Sequence, residues 1–322
     1  MKNIKMNIKH KIVTLIDILK NRPHTLLGII FGKISKTGVF NKLSDKTYLN
    51  IQYYLMIGKK LNLNSPKTFN EKLQWLKLYN RNPKLTLMVD KYKVRDIIKD
   101  KIGEQYLVPL IAVYSTPEEI NFDSLPKEFV IKCNHDSGSV FICKDKSKLN
   151  LSILKKELKK KLRKNHFWWS REWPYKNIEK KIIVEKYMKD KKNENLPVYK
   201  FLCFNGEPKI IQVIQNDKQE NETIDYFNTE WKLLDLRQDY QNSPKPYKKP
   251  EQLKKMLEIV KKLAGNNPFV RVDLYLINEI IYFSEFTMFS DAGIARFYPY
   301  EWDKKLGEWL DIESIKDSNI RN

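Results

Sequence analysis

A chain of 322 residues can bury two separate cores, and its 42% hydrophobic and 12% aromatic content excludes a disordered protein. Ten glycines and 14 prolines exclude a collagen-like or linker-rich chain. The formal net charge of +21 points to nucleic acid, a membrane surface, a nucleotide or an acidic sugar as partner, although Lys, Asn and Ile are abundant together and part of the charge is merely compositional.

The N-terminal stretch MKNIKMNIKHKIVTLIDILK is basic and amphipathic, without the long apolar core and small-residue cleavage site of a signal peptide. It reads as a helix that either packs on the surface or rests on an anionic membrane. Residues 1–85 as a whole read as a helical extension. In SPKTFNEKLQWLKLYN a capping signal stands at Ser65 or Thr68, with Glu71 three residues after Thr68. Phe69, Leu73, Trp75 and Leu76 then supply an apolar face. DKYKVRDIIKDKIG continues as a helix that stops at Gly103, and VPLIAVY is a short strand. EFVIKCNHDSGSVFICKD reads as strand, polar glycine turn, strand. LNLSILKKELKKKLRKN is a basic amphipathic helix and KIIVEKYM a buried strand. YKFLCFNGEPKIIQVIQ is a hairpin turning at Asn205-Gly206. PEQLKKMLEIVKKLAG is a helix with proline first and glycine last, and VRVDLYLINEIIYFSEFT is a second hairpin. Hairpins mixed with helices predict an α+β class with mostly antiparallel sheets.

Cys133, Cys143 and Cys203 form no CxxC pair and lie in apolar runs, as reduced, buried thiols of a cytosolic protein do. Four scattered histidines argue against zinc, and no apolar run reaches the roughly 18 residues of a membrane span. Between Lys144 and Lys192 stand 18 Lys and Arg against 6 Asp and Glu, with HFWWSREWPY interleaved. That pattern is either a single-stranded nucleic-acid groove or a solvated lysine face beside a tryptophan-rich core.

Chemistry concentrates in three places. A charge on a buried strand is costly unless it is paired or bound to a metal, and VRVDLYLINEIIYFSEFT carries Arg271, Asp273 and Glu285. A three-residue turn centred on Glu279 sets Asp273 opposite Glu285 with Thr287 on the same face, an oxygen-lined Mg²⁺ site. A two-residue turn at Asn278-Glu279 puts the carboxylates on opposite faces, and a plain Arg–Asp–Glu ion cluster is the other reading. Lys132 is embedded in an apolar strand before the turn His135-Asp136-Ser137-Gly138-Ser139, whose N–H groups and hydroxyls suit a phosphate, although neither GxxxxGK[ST] nor GxGxxG is present. Glu185 closes the apolar strand IIVE.

In this order the phrases VDKYKVR, FVIKCNHDSGSVFI, IIVEKYM and VRVD…FSEFT resemble the ATP-grasp superfamily over about residues 88–290. NEKLQWLKLY, REWPYKNIEKKIIVEKYM and YKFLCFNGEPK resemble its TupA-like branch, found with cell-surface polysaccharide synthesis, over roughly 45–310. The resemblance implies two α+β lobes clasping ATP: a linking segment 86–125, a nucleotide lobe 126–192 and a metal-binding lobe 193–322. It implies that Lys91 and Lys132 hold the ATP phosphates under the loop His135, Ser137, Gly138 and Ser139. It implies that Glu185, Lys186, Tyr187 and Met188 meet the adenine. Asp273, Glu285 and Thr287 would bind Mg²⁺, and Arg271 would face the transferred phosphoryl group. Thr287 stands where the superfamily usually has Asn. Pro197, Val198, Tyr199 and Lys200 stand where an acidic ribose contact is often found, so the ribose partner is unassigned.

The activity so implied is that of an ATP-dependent carboxylate–amine ligase working through an acyl phosphate, with an anionic sugar carboxylate and a small amine as substrates in surface-polysaccharide synthesis. Arg171 and Trp173 are the candidate acceptor contacts, an arginine fork for the carboxylate and a flat face for the sugar; the tryptophans and an Arg171–Glu172 pair as packing at the lobe joint is the other reading. A glycosyltransferase of the same pathways is the alternative enzyme, although no DxD motif is present, and a basic nucleic-acid-binding protein is the non-catalytic one. The expected place is the cytoplasm, with the N-terminus able to meet the inner face of the membrane.

Overall fold

The computed structural model describes residues 20, 22–136, 138–191, 196, 198–215, 222–313 and 315. The N-terminal stretch read as a basic helix, Ser137 of the glycine turn and Pro197 lie outside the described residues, save Lys20 at the end of that stretch.

Two antiparallel sheets carry the architecture. The first contains β1 (Leu110–Tyr114), β2 (Phe129–Cys133), β3 (Val140–Cys143) and β4 (Ile182–Lys186) in the order β1-β4-β2-β3. The second contains β5 (Val198–Phe204), β6 (Glu207–Gln215), β7 (Thr223–Phe227), β8 (Phe269–Ile277) and β9 (Ile280–Thr287) in the order β7-β6-β5-β8-β9. Each sheet has its own apolar cluster. The segment 86–125, expected as a linker, contributes β1 to the smaller sheet, because Val113 and Ala112 pair with Ile183 and Val184.

The N-terminal helices α1 (Pro23–Ser35), α2 (Asp45–Ile57) and α3 (Phe69–Tyr79) are not an appendage. Thr68 and Glu71 form a reciprocal cap at the start of α3: Glu71 N donates to Thr68 Oγ1 at 3.3 Å, and Thr68 N donates to Glu71 Oε2 at 3.1 Å. The Phe69 ring then lies 4.9 Å from that of Phe269 and 5.6 Å from that of Phe204, so α3 docks on the larger sheet. After α4 (Lys84–Val89) comes a turn at Asp90–Lys93 rather than continuous helix. Asp90 accepts from Tyr92 N and Lys93 N, and α5 (Val94–Ile102) follows, ending at Gly103 with φ 105°.

α6 (Leu151–Leu162) buries Leu154 and Leu158 on the smaller sheet and leaves its lysines on the outer side. The short α7 (Phe167–Ser170) packs Phe167 inward, and the Trp168 and Trp169 rings lie under cations, Arg171 at 4.9 Å and Lys36 at 5.5 Å. α8 (Leu253–Ala264) covers the larger sheet, and α9 (Glu301–Trp309) packs on α3. The three cysteines are free and buried. No described helix is long and apolar enough to cross a membrane.

Candidate active site

The β8–β9 hairpin turns at two residues, Asn278 (φ 50°) and Glu279 (φ 64°), which pair Ile277 with Ile280. Continued unbroken, that register would put Asp273 opposite Ser284. Instead Leu274 pairs with Phe283, Ser284 bulges, and Asp273 pairs with Glu285. The turn is therefore the two-residue one of the two considered, yet the carboxylates do not fall on opposite faces, because one extra residue in β9 shifts the register: Asp273 and Glu285 share a face, with Arg271 opposite Thr287 one step along.

On that face Arg271 grips Asp273 in a two-pronged contact, Nε to Oδ1 and Nη2 to Oδ2, both 2.8 Å. Asp273 is buried, and Lys200 Nζ from β5 approaches its Oδ2 at 3.6 Å. Glu285 is held more loosely, 3.8 Å from Arg271 and 3.4 Å from Lys91. Burial works against the Glu285 charge, but Lys91, Arg271, Lys200 and Lys132 outweigh it and bring its pKa down to about 2.

The smaller sheet supplies the facing cations. Lys132 on β2 meets Glu185 on β4 at 2.6 Å, and Arg95 on α5 meets the other Glu185 oxygen at 3.4 Å. Burial opposes the Lys132 ammonium, yet Glu185 raises its pKa above the ordinary value. Lys91 stands in the turn before α5, where its Nζ also donates to Asp136 O at 2.7 Å. Lys91, Arg95, Lys132 and Glu185 line one narrow cleft with Phe283 and Ser284 of β9. The structure thus brings Lys91, Lys132, Glu185, Arg271, Asp273 and Glu285 together across the two sheets. Glu185 is not a free strand end: its carboxylate is engaged inside the charge network. Lys186 N donates to Pro109 O at 2.9 Å, so this part of the expected adenine edge is already hydrogen-bonded.

The glycine turn faces inward more than expected. His135 and Ser139 are buried, and the Ser139 hydroxyl donates to Asp136 Oδ2. Among the described residues neither His135 ring nitrogen has a partner within hydrogen-bond geometry, and burial lowers its pKa. Gly138, at φ 94° with open space around it, is the part of this turn free to approach a phosphate. Asn134 anchors the turn: it donates to Asp90 Oδ1 and Glu179 O and accepts from Lys181 N.

Arg171 and Trp173 do not open onto the cleft. Arg171 is 2% exposed, stacks on Tyr48 at 4.4 Å and donates to Phe40 O at 2.8 Å. Trp173 donates its ring N–H to Asn80 O at 2.9 Å. The motif meets the site through Tyr175 instead. Burial, then Glu172 and Glu285, push this phenol well above its ordinary pKa, while Arg271 pulls it back.

Sequence reasoning missed four residues here. Lys200 and Arg95 join the ion network, and buried Lys77 and Gln74 on α3 hold the loop after β9. Lys77 Nζ donates to Ser170 O and Ala292 O, both at 2.8 Å, and Gln74 donates to Ala292 O and Gly293 O. Lys200 carried the same signal as Lys132, a lysine inside an apolar strand. Lys77 was legible as a lysine on the apolar side of a helix.

Two antiparallel sheets closing on a charged cleft, cations on one and a paired Asp and Glu on the other, are the architecture of an ATP-grasp enzyme. The chain belongs to the TupA-like ATP-grasp family, whose model matches residues 71–311. Among solved structures it is similar to D-alanine–D-alanine ligase from Bacillus anthracis, at 17% identity over 79% of this chain and 72% of that one, with a TM-score of 0.43. The ATP complex of that ligase gives 18% identity, 73% and 70% coverage, and a TM-score of 0.41. A RimK-domain ATP-grasp protein from Sphaerobacter thermophilus gives 10%, 72% and 70%, and 0.41. No curated protein sequence matches the chain.

Proposed function

We propose that the chain is an ATP-dependent carboxylate–amine ligase that phosphorylates a sugar carboxylate, a uronic acid or a relative, and joins it to a small amine during surface-polysaccharide synthesis. The observation that carries the reading is the Arg271–Asp273–Glu285 cluster, set on one sheet face and faced by Lys91 from the turn before α5 and by Lys132 from the smaller sheet.

The donor set fits Mg²⁺. It consists of hard oxygens: Glu285 is a third exposed with its cations at 3.4 and 3.8 Å, while Asp273 would share with the ion the two oxygens that Arg271 already contacts. Among the described residues no three His, Cys, Asp or Glu side chains group closely enough to hold a metal alone. Asp273, Glu285 and Thr287 would supply part of a shell that phosphate oxygens and water complete. The ion supplies charge neutralisation for the triphosphate and the transferred group.

The protein's own part is positioning. Lys91 faces Glu285 across the cleft and Lys132 is held by Glu185 on the neighbouring strand of its own sheet, and both can exchange those partners for phosphate oxygens. Arg271 is fixed in plane by Asp273, which leaves its Nη1 edge for an oxygen of the carboxylate or of the acyl phosphate. The acyl phosphate is then open to an amine, which forms the C–N bond as phosphate leaves. The excess positive charge of the chain would raise the local concentration of an acidic sugar.

The test is an isotope-transfer assay over a panel of uronic acids and amines. Acid labelled with ¹⁸O in its carboxylate should deliver one label to the released phosphate, and ADP formation should need both acid and amine. Phosphate release without label transfer, or glycosyl transfer without ATP, would put the protein in another class.

A further inference from the structure

Helix α1 is built inside out. Its fully buried positions are Thr25, Gly28, Gly32 and Ser35, Phe31 packs on Tyr48, and three of its five large aliphatic side chains face solvent. Leu27 is 57% exposed, Ile30 43% and Ile34 40%, at spacings of three and four that place them on one side of the helix. The glycines explain the inner face: a Cβ on Gly28 would stand 2.6 Å from Met56 Sδ, and one on Gly32 would stand 3.0 Å from Trp169 Nε1. Close approach to α2 and α7 thus uses the small residues, and nothing in that packing calls for aliphatic groups on the opposite side. Val39, just past the helix, extends the apolar patch at 66% exposure.

The charges around this patch are of one sign. Residues 20–60 contain eight Lys and Arg and one acidic residue, Asp45. Asp45 is already engaged, with Arg81 at 3.4 Å and Arg171 at 3.7 Å. Residues 1–19, which lead into α1, add Lys2, Lys5, Lys9 and Lys11 against Asp17 alone. A second copy docked here in two-fold fashion would set one cationic surface against another, which disfavours a dimer. The exposed side chains of the patch itself, Leu27, Ile30, Ile34 and Val39, carry no ring on which a base could stack. A few protruding aliphatics ringed by cations match an anionic lipid surface, where the chains enter the acyl boundary and the lysines meet the headgroups.

We propose that α1 docks the protein on an anionic membrane surface through Leu27, Ile30, Ile34 and Val39, flanked by Lys33 and Lys36. The inference does not depend on which reaction the cleft performs. The experiment is flotation of the full chain with vesicles of phosphatidylcholine alone and of phosphatidylcholine with 30% phosphatidylglycerol, at 50 and 300 mM salt. Binding is expected to the anionic vesicles only, and to weaken with salt. A Leu27→Gln/Ile30→Gln/Ile34→Gln variant should partition at least tenfold less with an unchanged melting temperature, since all three side chains are exposed. The proposal is overturned by absence of binding to anionic vesicles, by equal binding of the triple variant, or by a wild-type dimer in solution that the triple variant loses.

Discussion

Lys77 offers a test whose sign follows from burial alone. Its ammonium is fully buried, donates to two carbonyls and touches no carboxylate. Burial pushes its pKa down from 10.5 to about 8, against the pull of Glu172. A displacement of that size disfavours the charged form by about 3 kcal/mol. Lys77→Met keeps the volume and removes this cost. It also strips Ser170 O of its donor, a loss of about 1–3 kcal/mol, while Ala292 O keeps Gln74 Nε2 at 3.0 Å. The two effects nearly cancel, so stability at pH 7 should change by less than about 2 kcal/mol, a few degrees in Tm.

The pH dependence separates this account from simple packing. The folded-state pKa lies below the unfolded value, so the unfolded chain binds the extra proton between pH 8 and 10.5. Stability from this group is fully present above 10.5 and is lost as pH falls through 8. Between pH 7 and 9.5 the wild-type protein should gain about 2 kcal/mol relative to Lys77→Met. Thermal melts of both proteins at the two pH values give that difference, and other titrating groups cancel in it. Identical pH responses would refute the reasoning, as would a Tm loss above about 10 °C in the variant at pH 7.

Lys132→Met should abolish ATP turnover while the chain still melts cooperatively, because Glu185 keeps Arg95 as partner; turnover within about tenfold of wild type would make Lys132 an ordinary strand lysine. Arg171→Lys should lower Tm by several degrees and leave the Michaelis constant for the acid unchanged, because the guanidinium stacks on Tyr48, Phe167 and Trp168 and donates to Phe40 O. The opposite pattern would restore Arg171 as an acceptor contact. Glu285→Gln should raise the half-saturating Mg²⁺ concentration at least tenfold, about 1.4 kcal/mol; an unchanged Mg²⁺ dependence would exclude Glu285 as a metal partner.

The order of hairpins and helices was legible, because capping, turn and periodicity signals are local: Thr68 with Glu71, Asn205-Gly206, Gly103. The charged strand residues were legible for the same reason, since a charge within an apolar run requires a partner wherever the chain places it. The identity of the partner was not. Glu185 looked like a free strand end, yet β2 and β4 pair side by side and bring Lys132 to it. Arg171 read either as a substrate fork or as packing, and the choice fell to packing because Tyr48 from α2 joins Phe167 and Trp168 of its own segment around the guanidinium. Only tertiary contact decides such cases, and the 86–125 stretch, whose β1 completes a sheet across more than 60 residues of chain, belongs with them.

The β9 bulge shows how two carboxylates can share a face although the turn between their strands would part them. From the two-residue turn, pairing runs Ile277–Ile280 to Leu274–Phe283, then skips Ser284 and resumes at Asp273–Glu285. Ser284 is therefore a residue whose deletion shifts no other pair: the ladder closes, and Asp273 still faces Glu285. Deletion of Ser284 should leave Mg²⁺-dependent ATP turnover within about tenfold of wild type, a cost near 1.4 kcal/mol for the lost bend. Deletion of Phe286, by contrast, turns Thr287 to the other face and removes a core ring, and should cost both turnover and Tm. If the Ser284 deletion melts normally but loses turnover as fully as Lys132→Met, the bulge is more than a register correction. Its bend would then aim Glu285 into the cleft, and pairing alone would not make the site.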